Sequence, residues 1–117
     1  MTTQQVAARL VELCRKGEVL KAGEELYGDD IISIEPEHGP MKSATGKKAV
    51  LARGAQFASM IEERHGGSFS DPIVAGSNFT VSMVLDATMK GQGRQKLEEI
   101  CVYQVKDGKI IKEQFFY

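Results

Sequence analysis

The chain has 117 residues, a formal charge of −1 from fifteen basic and sixteen acidic side chains, and 42% apolar residues, which is one globular domain's worth of sequence with a core of ordinary size. A near-neutral balance argues against a dedicated nucleic-acid binder, which carries a strong basic excess, and no apolar run approaches the ~18 residues of a membrane span. Cys14 and Cys101 fit neither a disulfide framework nor a metal-ligand spacing, and Met1–Gln5 lacks the basic and apolar stretches of a secretory signal, so a reducing, cytoplasmic location is expected.

The first predicted helix runs from Thr3 to Lys16, capped by Thr3. Val6, Leu10, Leu13 and Cys14 form its apolar stripe, and Gly17 stops it. A second short helix covers Glu18 to Tyr27, and Gly28-Asp29-Asp30 breaks its pattern. Ile31–Glu35 is β-rich and ends at Pro36, which predicts a short strand. Pro36–Thr45 is a loop. A third helix is expected over Lys47–Arg64, with Val50, Phe57 and Ile61 on one face. Its Gly54 costs roughly 1 kcal/mol against alanine, which predicts close approach of this helix to a sheet.

Beyond His65-Gly66-Gly67 the apolar period changes from that of a helix to alternation. Phe69–Val74 is a short strand interrupted by Pro72. Asn78–Lys90, Lys96–Val105 and Lys109–Phe116 follow as longer strands, the last two joined by the hairpin signal Lys106-Asp107-Gly108-Lys109. Helices first and strands after predict an α+β domain over residues 1–117, with the helices on one face of an antiparallel sheet. Strand Lys96–Val105 is apolar on both faces: Leu97, Tyr103 and Val105 alternate with Ile100 and Val102. A sheet wet on one side should not read that way, so one face covers the helices and the other is free to meet a partner.

The hairpin register decides which side chains share a face. A two-residue loop at Asp107-Gly108 sets Glu99, Cys101 and Tyr103 beside Lys112, Gln114 and Phe116. A three-residue loop with a bulge sets them beside Ile111, Glu113, Phe115 and Tyr117. The bulged register is preferred, because it buries large apolar residues and leaves Lys112 and Gln114 outside.

The element order, the segment Leu26-Tyr27-Gly28-Asp29-Asp30-Ile31-Ile32-Ser33-Ile34-Glu35-Pro36 and the ending Val105–Tyr117 resemble the SnoaL-like branch of the nuclear transport factor 2-like superfamily, which also holds ketosteroid isomerase. The resemblance covers nearly the whole chain. It implies a cystatin-like cone, a curved antiparallel sheet wrapped around three N-terminal helices, with a pocket open at one end for a small apolar ligand. It also implies homodimers paired through the outer sheet face, and chemistry without a cofactor.

Glu35 falls, counted from Tyr27, where the isomerase has its catalytic aspartate. The resemblance therefore implies a base that removes a proton α to a carbonyl; otherwise Glu35 is a strand-end glutamate in water or in a salt bridge. Glu99, an acid on a half-buried strand, needs a partner or a raised pKa, and is a candidate acid or acceptor. Tyr103 is a candidate donor to substrate, against the plainer reading of a core tyrosine. Phe57 and Phe115 read as core and as candidate pocket wall, and Glu113 joins the pocket in the bulged register. His65, at the end of the third helix, can reach the pocket mouth as a proton carrier. No metal is expected, since neither His65 nor His38 has a second ligand at a suitable spacing. By position, the isomerase's two oxyanion donors correspond to Leu10 and Cys101, so neither is reproduced. Two functions follow: an acid–base isomerase, cyclase or dehydratase acting on an apolar carbonyl compound, or a non-catalytic binding or association module.

Overall fold

A computed structural model describes all 117 residues. In chain order the elements are α1 (Thr3–Arg15), α2 (Val19–Leu26), β1 (Tyr27–Ile34), β2 (Ala44–Thr45), α3 (Lys47–Ser59), β3 (Ile61–Phe69), β4 (Ile73–Ala75), β5 (Asn78–Met89), β6 (Gly93–Lys106) and β7 (Lys109–Phe116). The strands form one curved sheet in the order β2-β1-β7-β6-β5-β3, with β4 on β5. All neighbours are antiparallel except β1 and β7, which run parallel. The three helices pack into the concave face of this α+β cone. Val6, Leu10 and Leu13 of α1 and Leu26 of α2 share one core with Ile31, Phe79, Val81, Tyr103 and Ile110 of the sheet.

Several boundaries differ from the sequence expectation for identifiable reasons. The cap of α1 is Thr2, whose hydroxyl accepts from the Gln5 amide while the Gln5 side chain accepts from the Thr2 amide. Gly28-Asp29-Asp30 lies inside β1, because Tyr27 already pairs with Ile110 of β7 and the register shifts before Ile32. Helix α3 ends at Ser59, five residues before Arg64. Ile61 pairs with Met89 and starts β3, so long-range pairing overrides the helical propensity of the Glu-Glu-Arg segment. His65 is accordingly a strand residue. Gly54 does allow a close approach, but to α2: a Cβ there would lie 3.2 Å from Leu20 Cδ2.

At the last hairpin, Lys106 pairs with Lys109, and Asp107 and Gly108 turn the chain with φ of 51° and 75°. The loop thus has two residues. One step further, the register shifts between Gln104↔Lys112 and Val105↔Ile110, leaving Ile111 as a bulge within β7. That extra residue flips the strand. Glu113 faces Tyr103 across the ladder and Phe115 faces Cys101, so the inner face is the one expected for a bulged register, with the bulge in the strand instead of the loop.

Candidate active site

Residues on one face of a strand recur every second position. In β1 that puts Ile31 and Ser33 inside and Ile32 outside; in β7 it puts Glu113 inside, directly beside Ser33. An ionised carboxylate this deep, 1% exposed, needs partners. Glu113 has three: the Tyr27 hydroxyl donates to Oε2 at 2.8 Å, the Ser33 hydroxyl to Oε1 at 2.8 Å, and the Arg53 guanidinium lies 3.5 Å from Oε1. Burial pushes the Glu113 carboxyl above its ordinary value, and the hydroxyls and guanidinium only partly offset it.

Arg53 comes from α3, three residues after Val50 and four before Phe57, on the helix's inward stripe. It donates to Ser33 Oγ and to the Lys42 carbonyl, lies 3.6 Å from Glu35 Oε2, and sits over the Phe115 ring at 5.9 Å. It is thus the cation shared by Glu113 and Glu35. Glu35 follows the end of β1. Its amide donates to Ser43 Oγ, and its Oε1 accepts from the Tyr117 hydroxyl at 2.9 Å. Burial and the Glu35 carboxylate push the Tyr117 phenol well above the usual range, so it remains a donor.

Glu99 on β6 differs from the other two. It is half-buried, and its one hydrogen bond is a long 3.5 Å contact from the Cys101 thiol. Burial pushes its pKa up to about 7; the Cys101 contact offsets part of this, Glu35 and Glu113 add smaller increments, and no cation opposes it. The inner face therefore holds two carboxylates on one guanidinium and a third, Glu99, without a cation and poised near neutrality. No group of His, Cys, Asp or Glu side chains converges as a metal site does.

The remaining candidates divide. Tyr103 is buried and stacked on Phe79 at 4.7 Å, a core position. Phe115 flanks the carboxylates beneath Arg53. Phe57 packs instead on the smaller cluster of Leu85, Ala87 and Met89. His65, expected at the pocket mouth, lies elsewhere: it bonds Thr88 Oγ1 at 2.7 Å, 3.9 Å from Glu63. A bulge between Arg64 and Gly66 in β3 turns it that way. Cys101, its thiol raised well above the usual value by burial and by Glu99, is no nucleophile. The space bordering Glu35 is an open depression of about 340 Å³ lined by loop residues including Pro36, Pro40, Met41 and Ser43, and not by the apolar walls expected of the pocket. Arg53, Tyr27, Ser33 and Tyr117 escaped the sequence reading as functional residues, although Arg53 is a lone charge on the inward stripe of α3 and Ser33 a lone hydroxyl on the inward face of β1.

The open α+β cone is a nuclear transport factor 2-like fold. The chain belongs to the SnoaL-like domain family, which matches residues 1–117. A Mesorhizobium loti protein described as a candidate SnoaL-like polyketide cyclase, with carbohydrate phosphatase as a bracketed alternative, is 36% identical, with full coverage of both chains and a TM-score of 0.93. A nuclear transport factor 2-like protein of Burkholderia thailandensis is 18% identical, with 99% of this chain and 90% of that one covered and a TM-score of 0.81. A Catenulispora acidiphila protein with a ketosteroid isomerase-like fold, solved with trimethylamine, is 18% identical, with 96% and 84% covered and a TM-score of 0.75. No curated protein matches the chain.

Proposed function

We propose that the inner face of the cone is a small-molecule site for cofactor-independent acid–base chemistry on an apolar carbonyl compound, of the kind the name of the Mesorhizobium loti relative suggests. The observation that carries this reading is Glu99: a half-buried carboxyl without a cation, raised to about 7 beside a fixed Glu35–Arg53–Glu113 network. A group titrating near neutrality is present in both forms and can take and return a proton. Glu99 is thus the base, and Glu35 is held in place by Arg53 and Tyr117. This exchanges the leading role that position alone would give Glu35. Phe115 supplies apolar wall, and Tyr103 supports it from the core.

The test is deuterium uptake at the α-carbons of β-tetralone, an apolar ketone. The wild type is expected to accelerate exchange, and Glu99→Gln to lose about 100-fold of that acceleration. A wild type no faster than buffer contradicts the catalytic reading. A binding module without catalysis is the second reading. It is favoured by one observation: the hydroxyls that reach the acids are spent on them, Tyr27 and Ser33 on Glu113 and Tyr117 on Glu35, and none of the three is left for an oxyanion.

The outer sheet face exposes Ile32, Ile100, Val102 and Phe116, and a second copy of this chain is its proposed partner. In sedimentation the wild type is then expected at twice the 12.8 kDa chain mass, and Ile100→Asp at the single mass. A monomeric wild type contradicts the pairing. Cys14 and Cys101 are both free and buried, which fits a reducing cytoplasm; no helix is long and apolar enough to cross a membrane.

A further inference from the structure

Glu35 already carries an aromatic partner, Tyr117. Its hydroxyl donates to Glu35 Oε1 at 2.9 Å, although the residue is 41% exposed. The loop of residues 36–43 closes over the same ring. His38 donates from Nε2 to the Tyr117 main-chain oxygen at 2.8 Å, and the two rings meet edge to face with centroids 6.0 Å apart. Gly39 lies directly against the phenol: a Cβ there would fall 2.3 Å from the hydroxyl oxygen. The loop is otherwise tied at its base, by the Glu35 amide on Ser43 Oγ, by the Gly39 amide on the Pro36 carbonyl at 3.0 Å, and by Arg53 on the Lys42 carbonyl. Three separate contacts, from Glu35, His38 and Gly39, thus hold Tyr117 against the loop.

We propose that the Tyr117 phenol is an internal stand-in for the ligand, latching loop 36–43 over Glu35, and that the ligand is a planar, hydroxyl-bearing ring that displaces it and gives its own hydroxyl to Glu35. This rests on the small-molecule reading above and adds to it the ligand's chemical class and its route of entry. The chemistry of the contact specifies both. Glu35 already has Arg53 on Oε2, so the vacancy left at Oε1 calls for a neutral donor. The hydroxyl that fills it now sits on a flat ring, between Glu35 and a glycine that accepts no side chain. A ligand competing with such an occupant binds with an apparent affinity reduced to the fraction of time Glu35 Oε1 stands free of it.

The probe is p-cresol, which copies the tyrosine side chain, with toluene as its hydroxyl-free control. Binding is read by amide shifts in labelled protein, and latching separately by hydrogen exchange at the Gly39 amide. Tyr117→Ala is expected to bind p-cresol about tenfold more tightly than the wild type and to prefer it about tenfold over toluene. Gly39→Ala, which pushes the ring aside from the loop, is expected to do the same with Tyr117 still present, so the outcome does not hang on one variant folding. Tyr117→Phe, which keeps the ring and loses the bond to Glu35, is expected to speed exchange at Gly39 without any ligand. Equal p-cresol affinity in the wild type and both opened variants, with shifts around Glu99, would overturn the displacement and leave the small-molecule site standing. Absence of p-cresol shifts around Glu35 and Glu99 in both opened variants would overturn both.

Discussion

Replacing Arg53 with methionine is expected to remove about 3 kcal/mol of stability at about pH 8, because breaking a buried ion pair from one side leaves its partner charged and unpaired. The partners are unusually demanding here: the Glu35 and Glu113 side chains are 10% and 1% exposed, and Arg53 is the one guanidinium within 4 Å of either. The loss should shrink at about pH 5, where the raised Glu113 carboxyl can take up a proton instead of standing ionised. Adding Glu113→Gln to the methionine variant should recover part of the loss, since the orphaned charge is then gone. Urea denaturation of the three proteins at both pH values checks this. A loss below about 1 kcal/mol at about pH 8 would mean that water, and not Arg53, compensates the carboxylates.

Glu99→Gln is expected to act in the opposite direction. The Glu99 carboxyl holds its proton more tightly in the folded chain, at about 7, than at its ordinary value of 4.5. Its contribution to stability is therefore full below the ordinary carboxylate range and is lost as pH rises through about 7. Between about pH 5 and about pH 8 the wild type should lose on the order of 2 kcal/mol from this group, allowing for its partial exposure. Glutamine keeps the shape and cannot ionise. The variant should match the wild type at the lower pH and exceed it at the higher, with a shallower pH slope. Some slope will persist, because Glu113 is shifted in the same direction. A variant less stable than the wild type at about pH 8 would show that the Glu99 carboxylate is compensated after all.

Both predictions concern groups that the sequence revealed unequally. The cone itself was legible, because each helix carries a recognisable stripe and β5 alternates cleanly from Phe79 to Met89. The end of α3 was not: Glu62, Glu63 and Arg64 are good helix formers, and only their pairing partners on β5 make them a strand. His65 was misplaced with them. Glu99 could be read as an inward acid from the alternation of β6. Glu113 could be placed inside only by choosing a register, and the physical device that sets it, the bulge at Ile111, carries no glycine or proline to mark it. Arg53 and Ser33 stand out on apolar faces once those faces are drawn, yet their pairing joins α3, β1 and β7 across eighty positions of chain, which no local pattern encodes. Tyr117 is further removed still: its bond to Glu35 depends on how the curved sheet brings the end of β7 over the end of β1.

The poised carboxyl on which the proposed chemistry depends can be observed directly. Carbon-detected titration of the Glu99 side chain, assigned by comparison with Glu99→Gln, should give a midpoint at about 7. A midpoint near the ordinary value of 4.5 would place Glu99 in water-like surroundings and leave the cone without its base.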